Sequence, residues 1–405
     1  MLSAGVAAAR IITILASPVL TRLYSPEAFG LFATFFALVN SLSPAVTGRY
    51  EVAMVLPKYR SVSTELFGVA LWFCVTLSIL FAAAIWLLEP QLLDWLESPD
   101  LKGWILLAPV VLMIAGLFNL GEYLANRNRQ YQVIARANVI RAITAVGINI
   151  ALGLAGVGFL GLVLGAAVGL AIGFAYQVIR QYASIAALDI SWSRRKLAAA
   201  RRYADYPIYD ASTALLNGVR ANLPIFFMIQ YFPYSAVGYF ALVVRVIYAP
   251  VSMVSGAVFK VHLRKVVDMA NEGRRIPEYV LKVSAGLLAM TIAPAVLLIL
   301  WGPQLFELVF GEAWIQAGQF ARIMAFGIPI MFVSSTLSGT FGATRNNRLA
   351  ATWQATAFIS TLIVLGLLAD HQDPINFIIA LVINDICLYI FMYFLILRAA
   401  GKPRN

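Results

Sequence analysis

The chain has 405 residues, 61% hydrophobic and 12% charged, with a mean hydropathy of +0.83. It cannot be a water-soluble globular protein, in which about a quarter of residues carry charge. The formal charge of +11 could suggest a nucleic-acid partner, but most Lys and Arg stand in short loops between apolar runs instead of on one basic face, which excludes that reading. Cys74 and Cys387 lie inside apolar runs, and His262 and His371 are expected in loops, so neither a disulfide framework, a metal site nor a cofactor is implied.

Twelve stretches reach the roughly 20 mostly apolar residues with which a helix crosses lipid while satisfying its own backbone. In chain order they are 3–21, 28–55, 65–88, 103–124, 137–155, 157–178, 207–230, 235–258, 279–301, 317–342, 349–369 and 374–397. The first begins almost at Met1. Arg10 ahead of an apolar core is also how a signal peptide reads, but Ser17-Pro18-Val19-Leu20 offers no small-x-small cleavage site, and a span is expected. The second and tenth are over-long and carry Pro44 with Gly48 and Pro329 with Gly339, which predicts bent or partly unwound helices. In the sixth, Gly161, Gly165, Gly169 and Gly173 form a ladder that lets a neighbouring backbone approach closely.

The even-numbered loops and the C-terminal tail hold 22 of the 30 basic residues, including Lys58, Arg60, Arg127, Arg141, Arg194, Arg195, Lys260, Arg264, Lys402 and Arg404. The opposite loops hold only Arg22 and Lys102, against Glu27, Glu89, Asp94, Glu97, Asp100, Glu307, Glu312, Asp370 and Asp373. This asymmetry places both termini in the cytoplasm. No loop is long enough for a soluble catalytic domain.

Ala28-Phe29-Gly30-Leu31-Phe32-Ala33 is echoed by Ala236-Val237-Gly238-Tyr239-Phe240-Ala241, and Ala125-Asn126-Arg127-Asn128 by Ala343-Thr344-Arg345-Asn346, at offsets of 208 and 218. Both fit one duplication, with an N-terminal six-helix bundle at 1–180, a basic cytoplasmic linker at 181–206 and a C-terminal six-helix bundle at 207–405. An even number of spans per half makes the repeat parallel. The expected fold is therefore an all-α polytopic membrane protein whose two bundles are related by a pseudo-two-fold axis along the membrane normal, around a central cavity.

Arg10, Arg49, Arg220, Arg245 and Arg322 fall within spans, where each costs about 2.5–3.5 kcal/mol if it faces acyl chains. They must meet water, a partner or a ligand; snorkelling to an interface is the alternative for Arg10, Arg49 and Arg322 above all. Helical spacing groups Ser3, Arg10, Thr13 and Ser17; Asn40, Pro44, Thr47 and Glu51; Asp210, Thr213, Asn217 and Arg220; and Arg245, Tyr248, Ser252 and Ser255. Arg49 points away from its stripe unless the helix breaks near Gly48. The intramembrane acids Glu51, Glu122, Asp210 and Asp385 are candidates for carrying a coupling H+ or Na+, or for pairing structurally with arginine. Guanidiniums with hydroxyls, amides and aromatic faces such as Tyr209 and Tyr239 suit an oxygen-rich anion, for instance a diphosphate bearing sugar.

Thr21-Arg22-Leu23-Tyr24-Ser25-Pro26-Glu27-Ala28-Phe29-Gly30, followed by Gly48-Arg49-Tyr50-Glu51-Val52-Ala53-Met54-Val55-Leu56-Pro57-Lys58, resembles the polysaccharide-transporter branch of the multidrug/oligosaccharidyl-lipid/polysaccharide exporter superfamily, whose members include the Wzx O-antigen flippases. About forty residues resemble it closely, and the six-plus-six plan extends the likeness along the chain. The resemblance implies a flippase of the bacterial inner membrane that moves an undecaprenyl-diphosphate-linked oligosaccharide between leaflets by alternating access, among membrane lipids and alongside glycan polymerase and glycosyltransferase partners. Two other readings compete. A cation or drug antiporter of the toxin-extrusion branch would favour cavity carboxylates over five arginines. An enzyme would want clustered acids or a loop domain, which the chain does not supply.

Overall fold

The computed structural model describes residues 2–96, 99–186, 191–368 and 373–401. Glu97, Asp370, His371, Lys402, Arg404 and the side chain of Ser3 lie outside the described residues. Every described element is helical, as the absence of water around a spanning backbone demands. Among the described residues nine helices are long and apolar enough to cross a membrane, and Glu312–Met324 with Ile328–Ala343, bent by 58°, makes a tenth. The other two expected spans are also helical: Pro26–Leu42 is apolar but short, and Ala211–Tyr231 carries a polar face. The chain is a multi-pass membrane protein with the twelve-helix plan.

Contacts divide the chain into two compact units, Met1–Gln230 and Tyr231–Asn405. The first contains α1 (Leu2–Leu15), α2 (Ser17–Leu23), α3 (Pro26–Leu42), α4 (Tyr50–Ala53), α5 (Arg60–Trp95), α6 (Ala108–Arg127), α7 (Tyr131–Leu154), α8 (Phe159–Arg180), α9 (Tyr182–Ala186), α10 (Arg194–Arg202) and α11 (Ala211–Tyr231). Thus α11, the seventh span, packs with the six before it. Its Gly218 meets the Ser41 carbonyl, its Phe226 ring lies 6.0 Å from that of Trp95, and Gln230 Nε2 donates to the Trp95 carbonyl at 3.3 Å.

The quoted motif is written largely in helix punctuation. Ser25 caps α3 by accepting from the Ala28 amide at 3.3 Å, Pro26 occupies the first turn where no N–H is needed, and Glu27 answers the helix dipole. Tyr24 hydroxyl donates to the Asn149 carbonyl at 2.6 Å, tying the α2–α3 turn to α7. All four ladder glycines of α8 are buried, and a Cβ on any of them would run into α7, Tyr24 or Phe118. In α10, Ser193 caps the helix and Lys196 is fully buried, lying over Gly68 with its ammonium on the Ser191 carbonyl at 2.5 Å and Glu65 at 3.8 Å.

The second unit contains α12 (Tyr234–Val243), α13 (Ala249–Asn271), α14 (Ile276–Phe310), α15 (Ile315–Met324), α16 (Ile328–Leu337), α17 (Gly339–Ala343), α18 (Asn347–Leu368) and α19 (Pro374–Gly401). Val266, Val280, Phe332, Phe341, Met392 and Ile396 form the heart of its core. The expected interruption of the tenth span falls at 325–327, just before Pro329. A loop expectation fails here: α13 continues to Asn271, so His262, Lys260, Arg264 and Lys265 are helical. His262 is buried, bonded through Nε2 to Thr340 Oγ1 at 2.9 Å and stacked on Tyr279. A helix can run on past the apolar stretch because nothing in its sequence stops it before Gly273, which takes φ +66°.

Candidate functional site

In the first unit the polar residues gather where the second span breaks. Pro44 has no N–H to continue the ladder, residues 43–49 form tight turns, and Gly48 and Arg49 both adopt left-handed φ values of 61° and 59°. Gly48 is doubly required, since the Phe73 ring occupies the place of a Cβ. The break swings Arg49 round to Thr47 and Glu51. Its Nε donates to Asp210 Oδ2 at 2.7 Å and its Nη1 stands 3.6 Å from Glu51 Oε1, while Thr47 hydroxyl donates to Glu51 Oε2. Glu51 and Thr47 are buried, whereas the Arg49 and Asp210 side chains are 26% and 45% exposed. Asp210 ends a π-turn, Tyr206–Asp210, that begins α11; such turns recur at functional sites.

A second cluster joins α6 and α7. Asn138 Nδ2 donates to Glu122 Oε1 at 2.5 Å, and Asn138 Oδ1 accepts from Arg141 Nη2 at 3.3 Å. Arg141 lies over the Phe118 ring at 5.2 Å and feels the charges of Glu122 and Arg10. The loop assignment of Arg141 is therefore corrected. It stands ten residues into α7, which starts at Tyr131 rather than 137, and the polar Gln132 and Arg136 had concealed that start.

In the second unit Tyr248 ends another π-turn, Val244–Tyr248, which also holds Arg245. Tyr248 hydroxyl approaches the Met324 carbonyl at 3.4 Å, beside the break in the tenth span, and interacts electrostatically with Asp385 on α19. Ser255 is shared between Ser335 and Thr336, at 3.0 Å from each. Ser252 is exposed and bonds its own helix at Ala249.

Of the remaining predicted residues, Arg10 stands near enough to Arg141 for their charges to interact. Arg10, Asn40 and Asn217 are exposed, and Arg220 is half-buried on α11. Thr13 and Ser17 hydroxyls return to carbonyls four residues back. Arg322 Nε donates to the Ile299 carbonyl at 2.6 Å. That carbonyl would ordinarily receive the N–H four residues on, but the residue there is Pro303. Arg322 thus has a local structural task. Asn138 and Arg141 were missed by sequence reasoning, and the available signal was their position four and seven residues after Ile134 on one helical face.

The arrangement offers cations, hydroxyls and carboxylates at interrupted helices within spans. A family model described as polysaccharide biosynthesis protein matches residues 19–319. No curated protein sequence matches significantly. Among solved structures, the lipid II flippase MurJ in an inward closed conformation aligns with a TM-score of 0.78 at 14% identity, covering 97% of this chain and 86% of that one. An inward-facing multidrug resistance MATE transporter of the MOP superfamily aligns at 0.69 and 14% identity, covering 100% and 96%. A MOP superfamily transporter from Pyrococcus furiosus aligns at 0.59 and 14% identity, covering 99% and 97%.

Proposed function

Since the chain belongs to the polysaccharide biosynthesis protein family, we propose that it is a flippase carrying an undecaprenyl-diphosphate-linked oligosaccharide from the cytoplasmic to the periplasmic leaflet of the bacterial inner membrane. Transport runs by alternating access, coupled to H+ or Na+, with both termini cytoplasmic and with a duplicated plan at 1–180 and 207–405. The observation that carries this reading is the arginine content of the spans in a chain of that family. Guanidinium groups at Arg49, Arg220 and Arg245 suit diphosphate oxygens, which they bind in bidentate fashion. The likeness to the lipid II flippase supports a lipid-linked substrate. Asn217, Tyr248, Ser252 and Asn40 supply groups for sugar hydroxyls, and Glu51, Asp210, Glu122 and Asp385 are the coupling candidates.

Replacing Arg220 and Arg245 together by Ala is expected to abolish translocation of lipid-linked oligosaccharide in reconstituted vesicles while expression and melting temperature hold. Unchanged transport would overturn the assignment of these two residues. The similarity to a MATE transporter keeps one competing reading, export of an organic cation. Export of a cationic dye that is lost in Asp210→Asn would favour it.

A further inference from the structure

Two sequence signals remain unused by that function: Pro57-Lys58, which closes the quoted motif, and Arg127-Asn128, which belongs to the internal echo. The fold brings them to one place in the first unit. A cavity of about 220 Å³ is lined by Lys58, Arg60, Thr64, Arg127, Asn128 and Ser184, from the α4–α5 turn, the end of α6 and α9. Among the described residues that line it there is no carboxylate.

Three cations converging on a small hollow repel one another unless a counter-charge sits among them. Arg127 Nη1 is anchored by the Val55 carbonyl at 2.8 Å, so this residue is fixed in the lining, and Lys58 and Arg60 are exposed. The cavity also receives the N-terminus of α5, a 36-residue helix whose first turn contains no acid and whose Tyr59 side chain provides no cap. The positive end of that helix dipole therefore adds to the three formal charges. The size selects the ligand: the hollow lies below the roughly 300 Å³ at which small-molecule pockets begin, ample for a phosphate or diphosphate and too small for an oligosaccharide.

We propose that this cavity at the α5 N-terminus, formed by Lys58, Arg60 and Arg127, is a binding site for a phosphate-bearing anion, separate from the intramembrane arginines and independent of transport. The same chemistry is offered by a phospholipid headgroup and by a soluble diphosphate. The test uses the full chain in nanodiscs. Titration of pyrophosphate into phosphatidylcholine nanodiscs, followed by calorimetry, probes the soluble source. Native mass spectrometry of lipid retained from nanodiscs of equal phosphatidylcholine and phosphatidylglycerol probes the headgroup.

The Lys58→Gln/Arg60→Gln double variant removes two exposed charges with no structural bond and leaves the Arg127 anchor alone. Arg194→Gln/Arg195→Gln removes equal charge from exposed positions on α10. A loss of about tenfold or more in one arm, seen for the first variant and not the second, supports the site and names its source. Absence of binding by the unaltered chain in both arms overturns it. So does equal affinity of the Lys58/Arg60 variant, or an equal loss in the α10 control.

Discussion

The Ile299 carbonyl owes its partner to a missing N–H at Pro303, and Arg322 fills the vacancy from a neighbouring helix. That explains an arginine inside a span without a substrate, and it makes a sharp prediction. Arg322→Ala should lower the melting temperature of the purified protein by about 1–2 °C. In a Pro303→Ala background, where the backbone supplies its own donor, the same substitution should cost nothing; equal losses in both backgrounds would show that the bond is not what matters. Arg49 is the opposite case. Pro44 and Gly48 announce the break that turns its side chain, but Asp210, its partner, is 161 positions away and no local pattern pairs them. Arg141 was misread for a related reason: helical spacing gives a residue's face, whereas whether that face meets lipid or another helix depends on the neighbour.

At the scale of elements, glycine decides which helices touch. The α8 ladder lets α7 approach until the Arg141 and Ala145 backbones stand where Cβ atoms would be. Gly165→Val should therefore force the pair apart, destabilising the protein by about 1–3 kcal/mol, as over-packing does; thermal melting in detergent is the measurement, with exposed Gly147→Val on α7 as the control that should melt normally. The interrupted helices form a second class. The second and tenth spans break beside proline, as their sequences indicate, and proline also attends the π-turns, Pro207 inside the one that ends at Asp210 and Pro250 two residues after Tyr248; these turns place an acid and a tyrosine at points where the helix is widened. The stop of α6 and that of α17 use the same device. A left-handed arginine, Arg129 or Arg345, closes each helix, with the following amide bonded to Ala125 or Phe341 at 2.8 Å. The two stops correspond at an offset of 216, two residues out of register with the second sequence echo.

For the whole molecule, the distribution of basic residues predicts a topology that can be read directly. In a background with Cys74 and Cys387 replaced by Ser, a cysteine at Ala198 in the linker helix should resist an impermeant maleimide in spheroplasts and react after permeabilisation, while one at Lys102 should react at once. The reverse pattern would invert the orientation and with it the proposed direction of transport. The family match covers residues 19–319, and the likeness of fold extends over 97% of the chain, so the fold continues where the sequence match ends.

Composition and the spacing of apolar runs determined the helical, membrane-spanning class, because lipid permits so few ways to satisfy a backbone. The same sequence marked the breaks at Gly48 and before Pro329 and the close packing of α8, since proline and glycine act locally. Only the tertiary structure decided that Arg49 pairs with Asp210, that Arg322 serves a carbonyl, that Arg141 and Asn138 join Glu122, and that α11 packs with the first unit. Each depends on two distant segments meeting, and a charge in a one-dimensional pattern carries no record of what stands opposite it.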